Sequence, residues 1–173
     1  MTGAWTIYES PLGPLTLHGG PAGLASLYFP GRSAPLDESR RDPAALATAV
    51  TQLDEYFRGE RQTFELAFDL SGTSFQGQVW DALQRIPYGA TTSYGDLART
   101  IGRLDRVRAV GAAVGRTPVP IIIPCHRVIG ADGSLTGYGG GLHRKQALLD
   151  HEAAHATGDD PPAHWRVRQL ALL

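Results

Sequence analysis

The stretch SYGDLARTIGRLDRVRAVGAAVGRTPVPIIIPCHRV, residues 93–128, changes character twice. Ser93 followed by Asp96 resembles a capping box, and it predicts a short helix running through Ile101. Gly102 to Asp105 separates this from a second helix, expected from Arg106 to Gly115, so the pair reads as a helix-turn-helix. Pro118, Pro120 and Pro124 then surround Ile121-Ile122-Ile123. Proline fixes φ, lacks a donor and biases its predecessor away from helix, so this segment is stiff, apolar and non-helical. It delivers the chain to Cys125.

On the N-terminal side, Phe75, Val79 and Leu83 recur every four residues with Trp80 beside them, predicting a helix that ends at Ile86-Pro87-Tyr88-Gly89. Further back the period drops to two. Trp5 to Tyr8 alternates, the chain turns at Pro11 to Pro14, and Leu15-Thr16-Leu17 alternates again, so a hairpin is expected with a third strand at Leu24 to Phe29. Leu46, Val50, Leu53 and Phe57 lie at helical spacing, and Phe64 to Leu70 alternates like a strand returning to the sheet. On the C-terminal side, the glycine-rich run Gly137 to Gly141 precedes a helix expected around Lys145 to His155, and a polar tail holds Pro161-Pro162. The fold class is α+β. A small N-terminal antiparallel sheet domain with a covering helix (1–72) precedes a mostly helical domain with the helix-turn-helix and a candidate active-site loop (73–155), then a tail (156–173).

The chain has 173 residues, enough for one ordinary domain or two small ones. Its 42% hydrophobic and 19% charged residues fit a folded globule, and no run reaches the ~18 apolar residues of a membrane span. A soluble cytoplasmic protein with no membrane partner is expected. The net charge of −1 hides an asymmetry: residues 1–72 sum to −4, 73–150 to +4 and 151–173 to −1. In the basic region every cation but Lys145 is Arg, which forks onto phosphate and stacks on bases.

Cys125 is the single cysteine, so it has no disulfide partner within the chain. A lone cysteine is most often a small buried hydrophobe. Here His126, Arg127 and Arg116 are close in sequence and could favour the nucleophilic thiolate, though a Cys-His dyad would need a turn or a bridging water. The helix from Arg106 carries small side chains that suit either tight packing or entry into a DNA groove. In the second case Arg108, Ala109, Ala112, Ala113, Gly115 and Arg116 would face DNA. His151-Glu152-Ala153-Ala154-His155 matches the zinc-protease pattern H-E-x-x-H, but Pro161 stands where the longer motif wants His, and the only Met is Met1. Asp159, Asp160 or His164 are the remaining substitutes. No metal and no cofactor is expected.

Ile123-Pro124-Cys125-His126-Arg127-Val128, with Ser93-Tyr94-Gly95 upstream and Gly137-Tyr138-Gly139-Gly140 downstream, resembles the O6-alkylguanine-DNA alkyltransferases. The resemblance runs from about Trp5 to Glu152. It implies single-turnover repair of double-stranded DNA, in which the alkyl group of O6-alkylguanine, and of O4-alkylthymine, moves to Cys125 after the base is flipped out. It further implies His126 as base acting through a water, Glu152 as the acid orienting it, and Tyr94 as partner of the leaving guanine. Arg108 would fill the gap in the stack. Tyr94, Val128, Tyr138, Gly139 and Gly140 would form the pocket. Thr117 stands where the family usually has Asn, as a structural hinge. A monomer that clusters along DNA is expected. The competing readings are a lesion-binding relative without catalysis, which would lack the cysteine, and a helix-turn-helix regulator that senses alkylation.

Overall fold

The computed structural model describes residues 3–32 and 36–156, and the backbone of 166–167. Packing divides the chain into two units, one reaching to Ser71 and including Pro118–Ile122, the other formed by Gly72–Thr117 and the chain from Ile123 onward. The isoleucine segment, which the sequence reading placed in the second domain, therefore belongs largely to the first.

In the first unit, β1 (Trp5–Ser10), β2 (Gly13–Gly20) and β3 (Gly23–Tyr28) form an antiparallel meander. Tyr8 pairs with Leu15 and Leu17 with Leu27. Trp5, Leu15, Leu17, Leu24 and Leu27 are buried with Leu53 and Tyr56 of α1 (Ala47–Phe57), the expected covering helix. The Tyr8 hydroxyl donates to Asp54 of that helix at 3.3 Å. Phe64–Leu70 forms no regular strand. It touches the sheet through two bonds astride Leu24, Leu24 N to Ala67 O (2.9 Å) and Asp69 N to Leu24 O (3.0 Å), and its alternation reflects that brief docking. Gly23 makes the approach possible: its φ is +142°, and a Cβ there would sit 2.2 Å from the Ala67 carbonyl oxygen. Pro118 O accepts from Leu27 N at 2.9 Å, tying the isoleucine segment to β3. Ile121, fully buried, adopts a left-handed φ of +76°, a conformation that costs a β-branched residue about 1–3 kcal/mol and needs surrounding packing to hold it.

In the second unit, α2 (Ser74–Gln84) starts with a reciprocal capping box between Thr73 and Gln76. α3 (Tyr94–Thr100) is capped by Ser93, whose Oγ accepts from Asp96 N at 3.0 Å and donates to the Asp96 carboxylate at 2.6 Å. Gly102 at φ +68° ends α3, a 3-10 turn spans Leu104–Arg106, and α4 (Val107–Val114) follows. Trp80 Nε1 donates to Ala113 O at 3.1 Å, fixing α4 against α2.

Three short strands escaped the sequence reading. β4 (Ala90–Ser93) runs parallel to β5 (Val128–Ile129), pairing Thr92 with Val128 and Ser93 with Ile129. β6 (Arg166–Val167) pairs antiparallel to β4. The last helix is α5 (Leu142–His155), three residues longer at its start than expected. Among the described residues no helix is long and apolar enough to cross a membrane.

Candidate active site

Residues 125–127 form one 3-10 turn, closed by Arg127 N to Pro124 O at 3.0 Å. An extended chain would send Cys125 and His126 to opposite faces, so a dyad needed a turn or a bridging water, and the chain makes the turn. Cys125 is 6% exposed, Arg127 5%, and His126 and Glu152 are fully buried. Four ionisable groups at this depth must satisfy one another.

Glu152 of α5 does this for two of them. Its Oε1 lies 2.7 Å from His126 Nε2 and accepts from Arg127 Nη2 at 2.9 Å; its Oε2 accepts from Arg127 Nε at 2.9 Å and Gly89 N at 3.2 Å. Arg127 Nη1 donates to Ile86 O at 2.5 Å, and its guanidinium lies over the Tyr88 ring. Burial opposes ionisation of Glu152, but His126 and Arg127 overcome it and hold the carboxyl well below the usual range. A carboxylate only accepts, so His126 Nε2 carries the proton and Nδ1 has the lone pair. Nδ1 is buried without a protein partner, and burial keeps the ring neutral by lowering its pKa against the pull of Glu152. The site thus holds an oriented, neutral base.

The expected help from arginine to the thiol is absent. Arg127 is committed to Glu152 and Ile86, and Arg116 is exposed. Burial pushes the Cys125 thiol up to about 11, opposed by the Thr117 hydroxyl, the Lys145 charge and the backbone amides of Cys125 and His126. The resting sulfur is a neutral thiol.

Lys145 is the residue the sequence reading missed. Fully buried, its Nζ donates to Val128 O (2.6 Å) and Thr136 O (2.7 Å), joining β5 to the stem of the glycine-rich loop. Burial lowers its pKa to about 8, with Cys125 pulling the other way. The available signal was spacing: Lys145, Leu148, Leu149 and Glu152 occupy i, i+3, i+4 and i+7, so two charged residues sit on the buried stripe of α5.

Tyr94, at the start of α3, packs against Gly111 of α4, and its hydroxyl accepts from Thr136 Oγ1 at 3.4 Å. Tyr138 is drawn to the same place: burial and the nearby Cys125 raise its pKa well above that of an ordinary phenol. Gly140 is buried and Gly139 exposed, with open space where a Cβ would point. Val128, fully buried, contributes its carbonyl to the Lys145 clasp. Arg108, Ala109, Ala112, Gly115 and Arg116 lie on the exposed side of α4 and its end. Ala113 does not: it is 3% exposed and turned toward α2, which removes it from the expected DNA-facing set. His151 and His155 are half-buried neighbours on α5, with His155 Nδ1 2.8 Å from His151 O, while the Glu between them points inward. Among the described residues no three His, Cys, Asp or Glu side chains gather to hold a metal; Asp159, Asp160 and His164 lie outside those residues.

A helix-turn-helix with a basic exposed face lies in one unit with a buried cysteine and a neutral, oriented imidazole, the arrangement expected of a DNA-directed protein that carries a nucleophile. Comparison with known proteins gives the family. Residues 4–70 match the ribonuclease-like domain of 6-O-methylguanine DNA methyltransferase, and residues 74–154 match its DNA binding domain. The Mycobacterium bovis methylated-DNA–protein-cysteine methyltransferase is 50% identical over 157 residues, covering 87% of this chain and 93% of its own. The Methanosarcina acetivorans protein of that name is 43% identical over 87% of this chain and 98% of its own. The crystal structure of Mycobacterium tuberculosis OGT in complex with DNA is similar at a TM-score of 0.82 and 48% identity, covering 88% of this chain and 94% of that one. The chain belongs to the 6-O-methylguanine DNA methyltransferase family.

Proposed function

We propose that this protein repairs DNA by moving the alkyl group of O6-alkylguanine, and by the same displacement that of O4-alkylthymine, onto Cys125, once per molecule. It is an enzyme of the methylated-DNA–protein-cysteine methyltransferase class, and DNA is its partner. The observation that carries the reading is the buried Cys125 beside His126, with Glu152 and Arg127 fixing that histidine.

In the proposed reaction the thiol proton passes to His126 Nδ1, through a water, and Glu152 balances the imidazolium. Sγ attacks the alkyl carbon, an S–C bond forms as the C–O6 bond breaks, and the electron pair leaves on guanine. Tyr94 donates a hydrogen bond to that base, and a proton finally neutralises it. The thioether product has no good leaving group and the chain has no second thiol, so the cycle stops there. A base stacked in a duplex cannot reach a cysteine that is buried, only 6% exposed, which supports flipping. Arg108 on the exposed face of α4 is the side chain proposed to fill the gap, and the loop with Tyr138, Gly139 and Gly140 to cover the base.

The test is intact mass after mixing with duplex DNA containing O6-methylguanine. One added methyl per molecule, mapped to Cys125 and absent in Cys125→Ser, is expected. DNA binding with no mass gain would leave a binder, and repeated turnover on excess DNA would refute the single-use mechanism.

A further inference from the structure

The chain between α2 and β4, Ile86-Pro87-Tyr88-Gly89, converges on the two side chains that stand behind His126. Ile86 O accepts from Arg127 Nη1 at 2.5 Å, Arg127 Cζ sits over the Tyr88 ring, 5.6 Å from its centroid, and Gly89 N donates to Glu152 Oε2 at 3.2 Å. The turn is shaped for this. Ala90 N returns to Pro87 O at 3.2 Å, and Gly89, third in that turn, takes a left-handed φ of +75°, the conformation a type II turn demands there. A Cβ on Gly89 would also lie 2.8 Å from that of Ala156. The sequence reading used these residues only as a helix stop.

A guanidinium bonds through its edge and leaves two flat, weakly hydrated faces. Arg127 commits its edge: Nε and Nη2 to Glu152, both at 2.9 Å, and Nη1 to Ile86. Those bonds run in the plane of the fork, so they fix its place better than they resist a tilt out of the carboxylate plane. A ring on one face opposes the tilt, and because Arg127 is buried the attraction acts away from water, where it is strongest. The tilt matters because Arg127 Nη2 and His126 Nε2 share one oxygen, Oε1. A carboxylate that follows a tilted fork takes away the acceptor that keeps the histidine proton on Nε2.

We propose that Tyr88 is a positioning residue of the alkyl transfer: its ring holds the Arg127 fork flat against Glu152, and the fork keeps Oε1 on His126 Nε2 so that Nδ1 is the base. The inference rests on the alkyl-transfer reading. The ring needs no contact with substrate or sulfur, since it acts through Arg127 and Glu152.

The experiment varies the ring face. Tyr88→Phe keeps a face that attracts a cation, progressively fluorinated phenylalanines at position 88 weaken that face while nearly preserving its shape, and Tyr88→Leu removes it. The imidazole nitrogen shifts of His126, assigned against His126→Gln, report its tautomer and need no substrate. Alkyl transfer from free O6-benzylguanine, followed by mass, gives the limiting rate and the half-saturating concentration separately. Tyr88→Phe should keep the Nε2–H form and transfer within about twofold of the parent, whereas Tyr88→Leu should populate the Nδ1–H form and lower the limiting rate about tenfold at an unchanged half-saturating concentration. Fluorination should lower the rate stepwise from that of Tyr88→Phe, which keeps the test open if the leucine variant does not fold. A rate that stays flat along the fluorine series, a tautomer unmoved in Tyr88→Leu, or a phenylalanine variant as slow as leucine overturns the role. A parent protein that gains no alkyl group overturns the alkyl-transfer reading instead, while the tautomer still reports on Tyr88.

Discussion

Replacing Glu152 by Gln removes one charge and changes one oxygen to an amide, in a cavity with no room for error. The carboxylate receives four hydrogen bonds, from His126, twice from Arg127, and from Gly89 N. If the new amide takes the Oε1 position, two donors meet a donor, and His126 must place its proton on Nδ1 and stop being a base. If it takes the Oε2 position, it opposes Arg127 Nε and Gly89 N. Either way the Arg127 guanidinium stays buried without a counter-ion, for which about 3–5 kcal/mol of stability is lost. Loss of the oriented base costs about 10²–10⁴ in rate. Urea unfolding should show the first and mass-detected alkyl transfer the second. The parent protein should also become acid-sensitive. Glu152 has a depressed folded pKa, so its contribution is complete above the unfolded value of about 4.3 and disappears as pH falls below it. The lowered pKa of His126 adds a loss that begins near its unfolded value of about 6.5. Glu152→Gln should lack the first of these slopes. A variant as stable as the parent and equally fast would show that the network neither supports the fold nor sets the tautomer.

Arg108→Ala should slow repair in duplex DNA at least about tenfold while leaving free O6-benzylguanine within about twofold, since only a duplex has a gap to fill; equal loss on both would make Arg108 structural. Lys145→Met should cost about 1–3 kcal/mol through the lost bonds from Nζ to the Val128 and Thr136 carbonyls. It should also flatten stability between pH 8 and 10.5, where the parent gains stability with rising pH because its folded ammonium deprotonates near 8 and its unfolded one does not; urea midpoints across that range decide it. Iodoacetamide should label native Cys125 far more slowly than the urea-unfolded chain, because the native thiol is buried and neutral; equal rates would contradict the raised pKa.

Where a segment's pattern repeats over several turns, the sequence was readable: Leu46 to Phe57 and Phe75 to Leu83 announced α1 and α2, and the hairpin lies where Pro11 to Pro14 put it. Phe64 to Leu70 misled because a period of two records which side chains face a sheet, not how many ladder bonds are made. β4 and β5 were invisible, since four and two residues carry no period and Ser93 already served as a helix cap. In the site, the family resemblance around Cys125 pointed to His126 and to Glu152, and the structure brings those two side chains within 2.7 Å of each other. Lys145 stayed hidden as one more cation in a basic region. Only the helical phase it shares with Leu148, Leu149 and Glu152 marked it as buried.

At the thiol, closeness in sequence says least about contact: arginines near Cys125 in the chain could have favoured a thiolate, but Arg127 turns its fork to Glu152 and Ile86 while burial keeps the sulfur protonated. With a pKa near 11, about one molecule in 10⁴ is ionised at pH 7. For a many-turnover enzyme that would be a poor resting state. For a protein whose product is a permanent thioether the logic reverses, because each encounter with a stray electrophile or oxidant would consume a whole molecule. On the proposed alkyl transfer, a neutral, buried thiol stays unreactive until a base occupies the pocket, excludes water and brings its alkyl carbon to Sγ. In the proposed reaction the cost of ionisation is met at that moment by a histidine already in the right tautomer and by the nearby Lys145 charge. The same burial that raises the pKa also strengthens each of those interactions once the charge forms. On that reading reactivity is conditional on substrate, because Arg127 is committed to Glu152 and Ile86 and leaves the resting thiol un-ionised.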